Sequence, residues 1–255
     1  MLRFCSLGSG SAGNALVIEA VDGGHTTRVL LDNGFNGRQL RQRLARHGLA
    51  IDDLDAIVLT HEHSDHVAGV PGLLRQRQLP VFCSVGTARA ASLEGMYTEV
   101  VAGEIVSFGP LQLMPFGVCH DAAEPLQYVF SDGDRRLGVL TDVGLPGDEV
   151  YAALDGVDAL LLECNHDVDR LRNGSYPAFL KARILGAHGH LSNDQAAELL
   201  QRLDRRRLGA VIAAHLSARN NEPRLARAAL AAVIGCVADD VLVADQELGL
   251  PWLCC

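Results

Sequence analysis

The sequence predicts an α/β fold in a single domain spanning residues 1–255. Three observations support this. Short apolar runs alternate with longer amphipathic stretches, the change of period that separates strands from helices. Gly- and Ser-rich turns punctuate the N-terminal region, as in a meander of strands. Several apolar runs end abruptly on His or Asp, which puts reactive side chains where a sheet stops and the chain must turn. With 48% hydrophobic residues in 255, there is enough apolar material for one large core.

The elements follow in order. Runs at 2–7, 15–19 and 28–31 read as strands joined by the turns Gly8-Ser9-Gly10-Ser11-Ala12-Gly13-Asn14 and Asp22-Gly23-Gly24-His25. The first turn could cradle an anion on its backbone amides through Ser9, Ser11 and Asn14, but no Lys-Ser/Thr follows as in a nucleotide loop. Leu40 and Leu44 give 36–47 helical spacing, stopped by Gly48. A strand at 55–59 precedes a helix at 67–76, a strand at 81–85 and a helix at 87–93. Strands return at 105–107, 111–115, 126–130, 137–141 and 158–163. Helices at 177–185 and 192–203 come next, the second opened by a capping box from Ser192 to Gln195. A strand at 210–214, a helix at 222–234 and a strand at 241–244 close the fold. Arg205-Arg206-Arg207 reads as the solvated end of a helix.

The most informative stretch is Thr60-His61-Glu62-His63-Ser64-Asp65-His66. After a strand end, alternate side chains His61, His63 and Asp65 can converge on one point while His66 turns to a neighbouring one, which suits two adjacent metal ions. Imidazole and carboxylate donors without thiolate point to zinc, manganese or iron rather than calcium or magnesium. His120 and Asp142 also follow strand ends and are candidates for the missing ligands. Asp32, ending the third strand, is placed to orient a ligand histidine.

Composition narrows the classes. Seven scattered cysteines without CxxC spacing indicate neither a disulfide framework nor a thiolate zinc site. No stretch approaches the roughly 18 apolar residues of a membrane span, and the start lacks a long apolar segment, so we expect a soluble cytoplasmic protein with no membrane partner. A net charge of −9 argues against a broad nucleic-acid-coating surface, although two bound divalent ions would offset part of it where a phosphate sits.

The motif His61-x-His63-x-Asp65-His66, followed in order by His120, Asp142 and His215 at strand ends, resembles the metallo-β-lactamase fold superfamily. Within it the chain is similar to the bacterial WalJ/YycJ branch. That likeness rests on the Ser6-to-Asn14 and Thr60-to-His66 blocks, on Glu163-Cys164-Asn165-His166-Asp167 and Gly189-His190-Leu191-Ser192-Asn193, and on His215-Leu216-Ser217 with Asn220-Asn221. The resemblance implies an αββα sandwich, two mixed β-sheets flanked by helices, with metals at the sandwich edge. It implies His61, His63 and His120 on one ion, Asp65, His66 and His215 on the second, and Asp142 bridging. Two cations would lower the pKa of a water there and yield hydroxide for in-line attack on phosphorus. The function implied is a metal-dependent phosphodiesterase, a 5′-to-3′ exonuclease whose substrate is DNA in preference to RNA. The stretch from Asp142 to His215 is too short for the extra cassette of larger nucleases of the superfamily. Two alternatives remain: a glyoxalase-II-type thioester hydrolase, and a non-enzymatic metal-dependent regulator.

Five histidines are left over. His25 and His47 are expected at the surface. His190 is the candidate acid–base group, and with Asp65 it makes up the catalytic pair. Asn165 and His166 are expected either to contact phosphate or to support the residues that do, with His188 the weakest candidate.

Overall fold

The computed structural model describes all 255 residues. Strands β1 (Leu2–Gly8), β2 (Ala15–Asp22) and β3 (His25–Leu31) form an antiparallel meander. β4 (Ala56–Val58), β5 (Val81–Cys83) and β6 (Thr98–Glu99) extend it in parallel. The second sheet holds β7 (Val106–Phe108), β8 (Leu111–Gly117), β9 (Leu126–Ser131), β10 (Arg136–Leu140), β11 (Ala159–Glu163), β12 (Ala210–Ala214) and β13 (Leu242–Val243). It is antiparallel from β7 to β10 and parallel from β10 to β13. The chain then returns to the first sheet, where β14 (Leu250–Cys254) pairs antiparallel with β1. Both sheets are therefore mixed and seven-stranded.

Side-chain alternation along the strands builds the layers. Phe4, Ile18, Leu31 and Val58 from one sheet meet Leu113, Tyr128, Val139 and Leu161 from the other in a buried inter-sheet core. The opposite faces take helices. Leu7, Val17, Leu30 and Ile57 pack under α1 (Gly37–Arg46), α2 (Ser64–Val67), α3 (Val70–Gln76) and α4 (Val85–Ala90). Leu140, Leu160 and Leu162 pack under α5 (Asp148–Leu154), α8 (Asn193–Arg202) and α9 (Pro223–Ile234), while α6 (Val168–Asn173) and α7 (Ala178–Ile184) lie before α8 in the chain. The result is the αββα sandwich. No helix is long and apolar enough to cross a membrane.

Several boundaries differ from the sequence expectation. The helix expected at 67–76 begins at Ser64 and breaks between α2 and α3 around Ala68 and Gly69. A Cβ on Gly69 would lie 1.9 Å from the Phe35 carbonyl, and Pro71 starts α3 without needing a donor. Ser84 accepts from the Thr87 amide and starts α4 at Val85, which shortens the expected strand to Val81–Cys83. β6, β14, α5 and α6 were not expected from the pattern. Arg205 to Arg207 lie beyond α8, not at its end: Arg207 pairs with buried Asp158, Arg206 with Asp204, and Arg205 donates to the Val233 carbonyl.

Parallel order explains where the site forms. β3, β4, β10, β11 and β12 all point their C-terminal ends to one edge, and β8, two antiparallel steps from β10, points the same way. Ligands in open α/β sheets gather outside such ends. Leu126 N–H donates to the Thr60 carbonyl at 2.9 Å and Tyr128 Oη to the Leu59 carbonyl at 2.6 Å, which joins the two sheets there.

Candidate metal centre

At the shared edge five imidazoles each spend one N–H on a fixed acceptor, which turns the other nitrogen inward. His66 Nδ1 donates to Asp32 Oδ2 at 2.8 Å, and His61 Nδ1 lies 3.0 Å from Thr60 Oγ1, itself a donor to Asp32. His120 Nδ1 donates to the Gly189 carbonyl at 3.0 Å and His215 Nδ1 to Glu163 Oε1 at 3.1 Å. His63 is reversed, donating from Nε2 to the Asp121 carbonyl at 3.2 Å, so its Nδ1 faces His120 Nε2 at 3.3 Å. Such partners fix tautomer and ring orientation at metal sites.

The donor atoms form overlapping groups, each within 4.8 Å: His61 with His63 and His120, Asp65 with His66 and His215, and two more that share Asp142, one with His61 and His66 and one with Glu163, His190 and His215. Asp142 stands between the first two clusters. Its Oδ2 is 3.2 Å from His66 Nε2, and its Oδ1 is 3.9 Å from His120 Nε2 and 3.5 Å from His215 Nδ1.

Backbone strain concentrates at the same edge. Asp32, Asp142 and His215 follow β3, β10 and β12 with φ of 59°, 55° and 53°, a left-handed conformation that costs about 1–3 kcal/mol for a residue with a Cβ. The surroundings hold them there: Asp32 N–H donates to the Val58 carbonyl and His215 N–H to Ser9 Oγ at 2.9 Å. Gly34 brings the Asn33–Phe35 loop so close to this edge that a Cβ would lie 2.0 Å from the Asp65 carbonyl.

Charge is concentrated here too. Burial disfavours ionised Asp142, but His215 and His66 more than reverse it and hold its carboxyl well below the usual range. Asp65 is likewise depressed, burial being outweighed by hydrogen bonds to His215 and His66. Burial pulls His215 down, yet the Asp142 charge and bonds to Asp65 and Glu163 raise it to about 10. Without metal, the carboxylates and the protons on these imidazoles balance one another, and a divalent cation would take the place of those protons. Two buried atoms, His61 Nε2 and Asp142 Oδ2, have no hydrogen-bond partner, a costly state that a cation would relieve. Nitrogen and oxygen donors in this arrangement fit divalent zinc, manganese or iron.

The other expected residues divide. Ser11, Asn165 and His190 line a cleft of about 410 Å³ that opens over both clusters. Ser9 is committed to the His215 amide. Asn14 is also committed: its Oδ1 accepts from Gly10 N–H, and its Nδ2 lies 3.2 Å from Asp65 Oδ2. Both brace the centre, and neither lines the cleft. His166 is fully buried away from the cleft wall, so a direct phosphate contact does not fit its position; burial pushes its pKa down to about 4. Asp32 Oδ2 accepts from His66 Nδ1 and from the Thr60 hydroxyl. His25 is exposed, whereas His47 is half-buried against Trp252, whose Nε1 donates to its carbonyl.

Glu163 was missed. Its Oε1 accepts from His190 Nδ1 at 2.7 Å as well as from His215, and its Oε2 accepts from the Val143 and Leu191 amides. A Glu closing a wholly apolar strand was the available signal. Its carboxyl is pulled down to about 2, burial being outweighed by the His190 charge and hydrogen bond.

Sequence and structure comparisons agree with this architecture. The family model described as a beta-lactamase superfamily domain matches residues 27–211, which include every residue of the two clusters except His215. The chain is 35% identical over 241 residues to Exodeoxyribonuclease YycJ of Bacillus anthracis, covering 91% of this chain and 89% of that one. It is 36% identical over 232 residues to Exodeoxyribonuclease WalJ of Streptococcus pneumoniae, covering 88% and 85%. The crystal structure of the metallo-beta-lactamase fold protein YhfI from Bacillus subtilis superposes with a TM-score of 0.74 at 16% identity, over 99% of this chain and 98% of that one. The family match, these relatives and the shared sandwich lead to one conclusion: the chain belongs to the beta-lactamase superfamily.

Proposed function

We propose that the protein is a metal-dependent nuclease that hydrolyses DNA phosphodiesters from a 5′ end in the cytoplasm. The reading is carried by one observation: a double His/Asp donor cluster lies open to a cleft in a chain whose relatives, matched over most of their length, are named exodeoxyribonucleases. His61, His63 and His120 would hold one divalent ion, Asp65, His66 and His215 the other, and Asp142 both. Zinc and manganese suit the donors best. When bound, the ions supply the positive charge that makes water a nucleophile near neutral pH and offsets charge growing on the phosphoryl oxygens.

The chain's own groups do the rest. Asp32, Thr60, Gly189 and Glu163 keep the ligand rings in register. Asn165 donates to the His215 carbonyl at 3.1 Å and presents its remaining edge to the cleft. His190 is held by Glu163 through Nδ1, which leaves Nε2 as the ring atom available to the leaving 3′ oxygen. Burial lowers its pKa, but the Glu163 and Asp142 charges outweigh that and keep the ring protonated to higher pH, as a proton donor requires.

End-labelled single-stranded and duplex DNA and RNA, incubated with zinc- or manganese-loaded protein beside S-lactoylglutathione, test the reading. Stepwise release of nucleotides from the 5′ end of DNA is expected. Thioester turnover without nucleotide release would replace this reading with a thioesterase.

A further inference from the structure

α7 is the one α-helix in which no residue is buried, yet Leu180, Arg183 and Ile184 on it, and Tyr176 just before it, line the cleft over the metal centre. On the same helix Phe179 is 75% exposed, more than any other large apolar side chain in the molecule. Its setting is unusual for an acidic protein. From Arg170 to Asn193 the chain carries three arginines and Lys181 and not one carboxylate, although the whole chain has a net charge of −9. Arg219, from the loop after β12, adds a guanidinium 5.8 Å from the Tyr176 ring centroid. Arg183 reaches across to Asp121, which lies 3.3 Å from His120 Nε2, so this basic face adjoins the donor clusters.

An exposed Phe179 and a half-buried Tyr176 interleaved with cations, beside a cleft that cuts phosphodiesters, match one kind of occupant. A single nucleic-acid strand offers flat apolar bases and regularly spaced anions, whereas in a duplex the bases are already stacked on each other. We propose that Tyr176 and Phe179 form a stacking platform for successive bases of the strand entering the cleft, with Arg183 and Arg219 taking its phosphates. The inference rests on the nuclease reading and names how that site holds its substrate. Because every base has a π-face, such a platform grips the strand without selecting sequence.

The test pairs protein and substrate changes. Hydrolysis is followed on a 5′-labelled thymidine oligomer and on an oligomer of the same length built from abasic residues. The wild type is expected to show a KM roughly 5- to 100-fold lower for the oligomer with bases, the range that base–aromatic stacking provides. Tyr176→Ala with Phe179→Ala should abolish that preference while metal content and far-UV circular dichroism stay at wild-type levels; Tyr176→Phe with Phe179→Trp should restore it. Equal KM values for both oligomers in the wild type would overturn the platform even if the variants do not fold. A preference that survives in the folded Ala pair would also overturn it and leave the nuclease reading standing. A wild type that degrades neither oligomer nor any other nucleic acid would overturn both.

Discussion

His63 and Asp142 bear most on the centre, since one closes the first cluster and the other stands between the two. His63→Ala or Asp142→Ala should cost at least one equivalent of metal, read by elemental analysis, and abolish turnover; full metal content with normal turnover would remove them from the ligand set. His190 is a sharper case: it lines the cleft and lies within 4.8 Å of donor atoms of Asp142, Glu163 and His215, but its Nδ1 is committed to Glu163. His190→Ala should keep both metals and the fold while cutting turnover by roughly 10²-fold or more, the usual scale for an acid–base group. An unchanged rate would leave it a loop brace. How legible each residue was follows from where its partners sit. The His61-to-His66 block was readable because its donors are local, packed into one turn after one strand. Glu163 was not, because its partners His190, His215, Val143 and Leu191 are brought together only by the parallel order of β10, β11 and β12. The local reading of Ser9 and Asn14 could not include their long-range partners: Ser9 Oγ accepts from the His215 amide and Asn14 Nδ2 lies beside Asp65.

At the scale of elements, the meander shows how a charge can be kept inside a sheet. Glu19 on β2 has no exposed side-chain surface and is clasped by Arg3 on β1 and Arg28 on β3, the latter at 2.6 Å. Burial disfavours its ionised form, but the two guanidinium hydrogen bonds outweigh that and lower its pKa. A carboxylate depressed in the folded state stabilises above its unfolded pKa, near 4.3, and loses that contribution as pH falls through the lower folded value. Glu19→Gln should therefore cost about 1.5–3 kcal/mol at pH 7 in urea unfolding, the scale of hydrogen bonds to charged groups. The gap to wild type should narrow as pH drops below about 4; a gap independent of pH would show that packing, not charge, is what Glu19 contributes. Elements with strong periodicity were legible, as α8 shows: its capping box, Ser192 with Gln195, was readable from four residues and is present. β14 was not, because Pro251 breaks its short apolar run, and a proline is tolerated there only because β14 lies at the edge of its sheet. β6 has two exposed residues, too few to show a period.

For the molecule as a whole, the sandwich accounts for the site. Three apolar layers between four layers of secondary structure fix two sheets whose strand ends meet at one edge, and seven donors from distant parts of the chain converge there. The central claim is that those donors hold two cations and that both are needed to cut DNA. Titrating metal-stripped protein with zinc or manganese, while following both bound metal and release of 5′ nucleotides from labelled DNA, tests it directly. The account predicts that activity is absent without metal and levels off when two equivalents are bound. Full nucleotide release in excess chelator, or a plateau at one equivalent with no second ion bound, would contradict it.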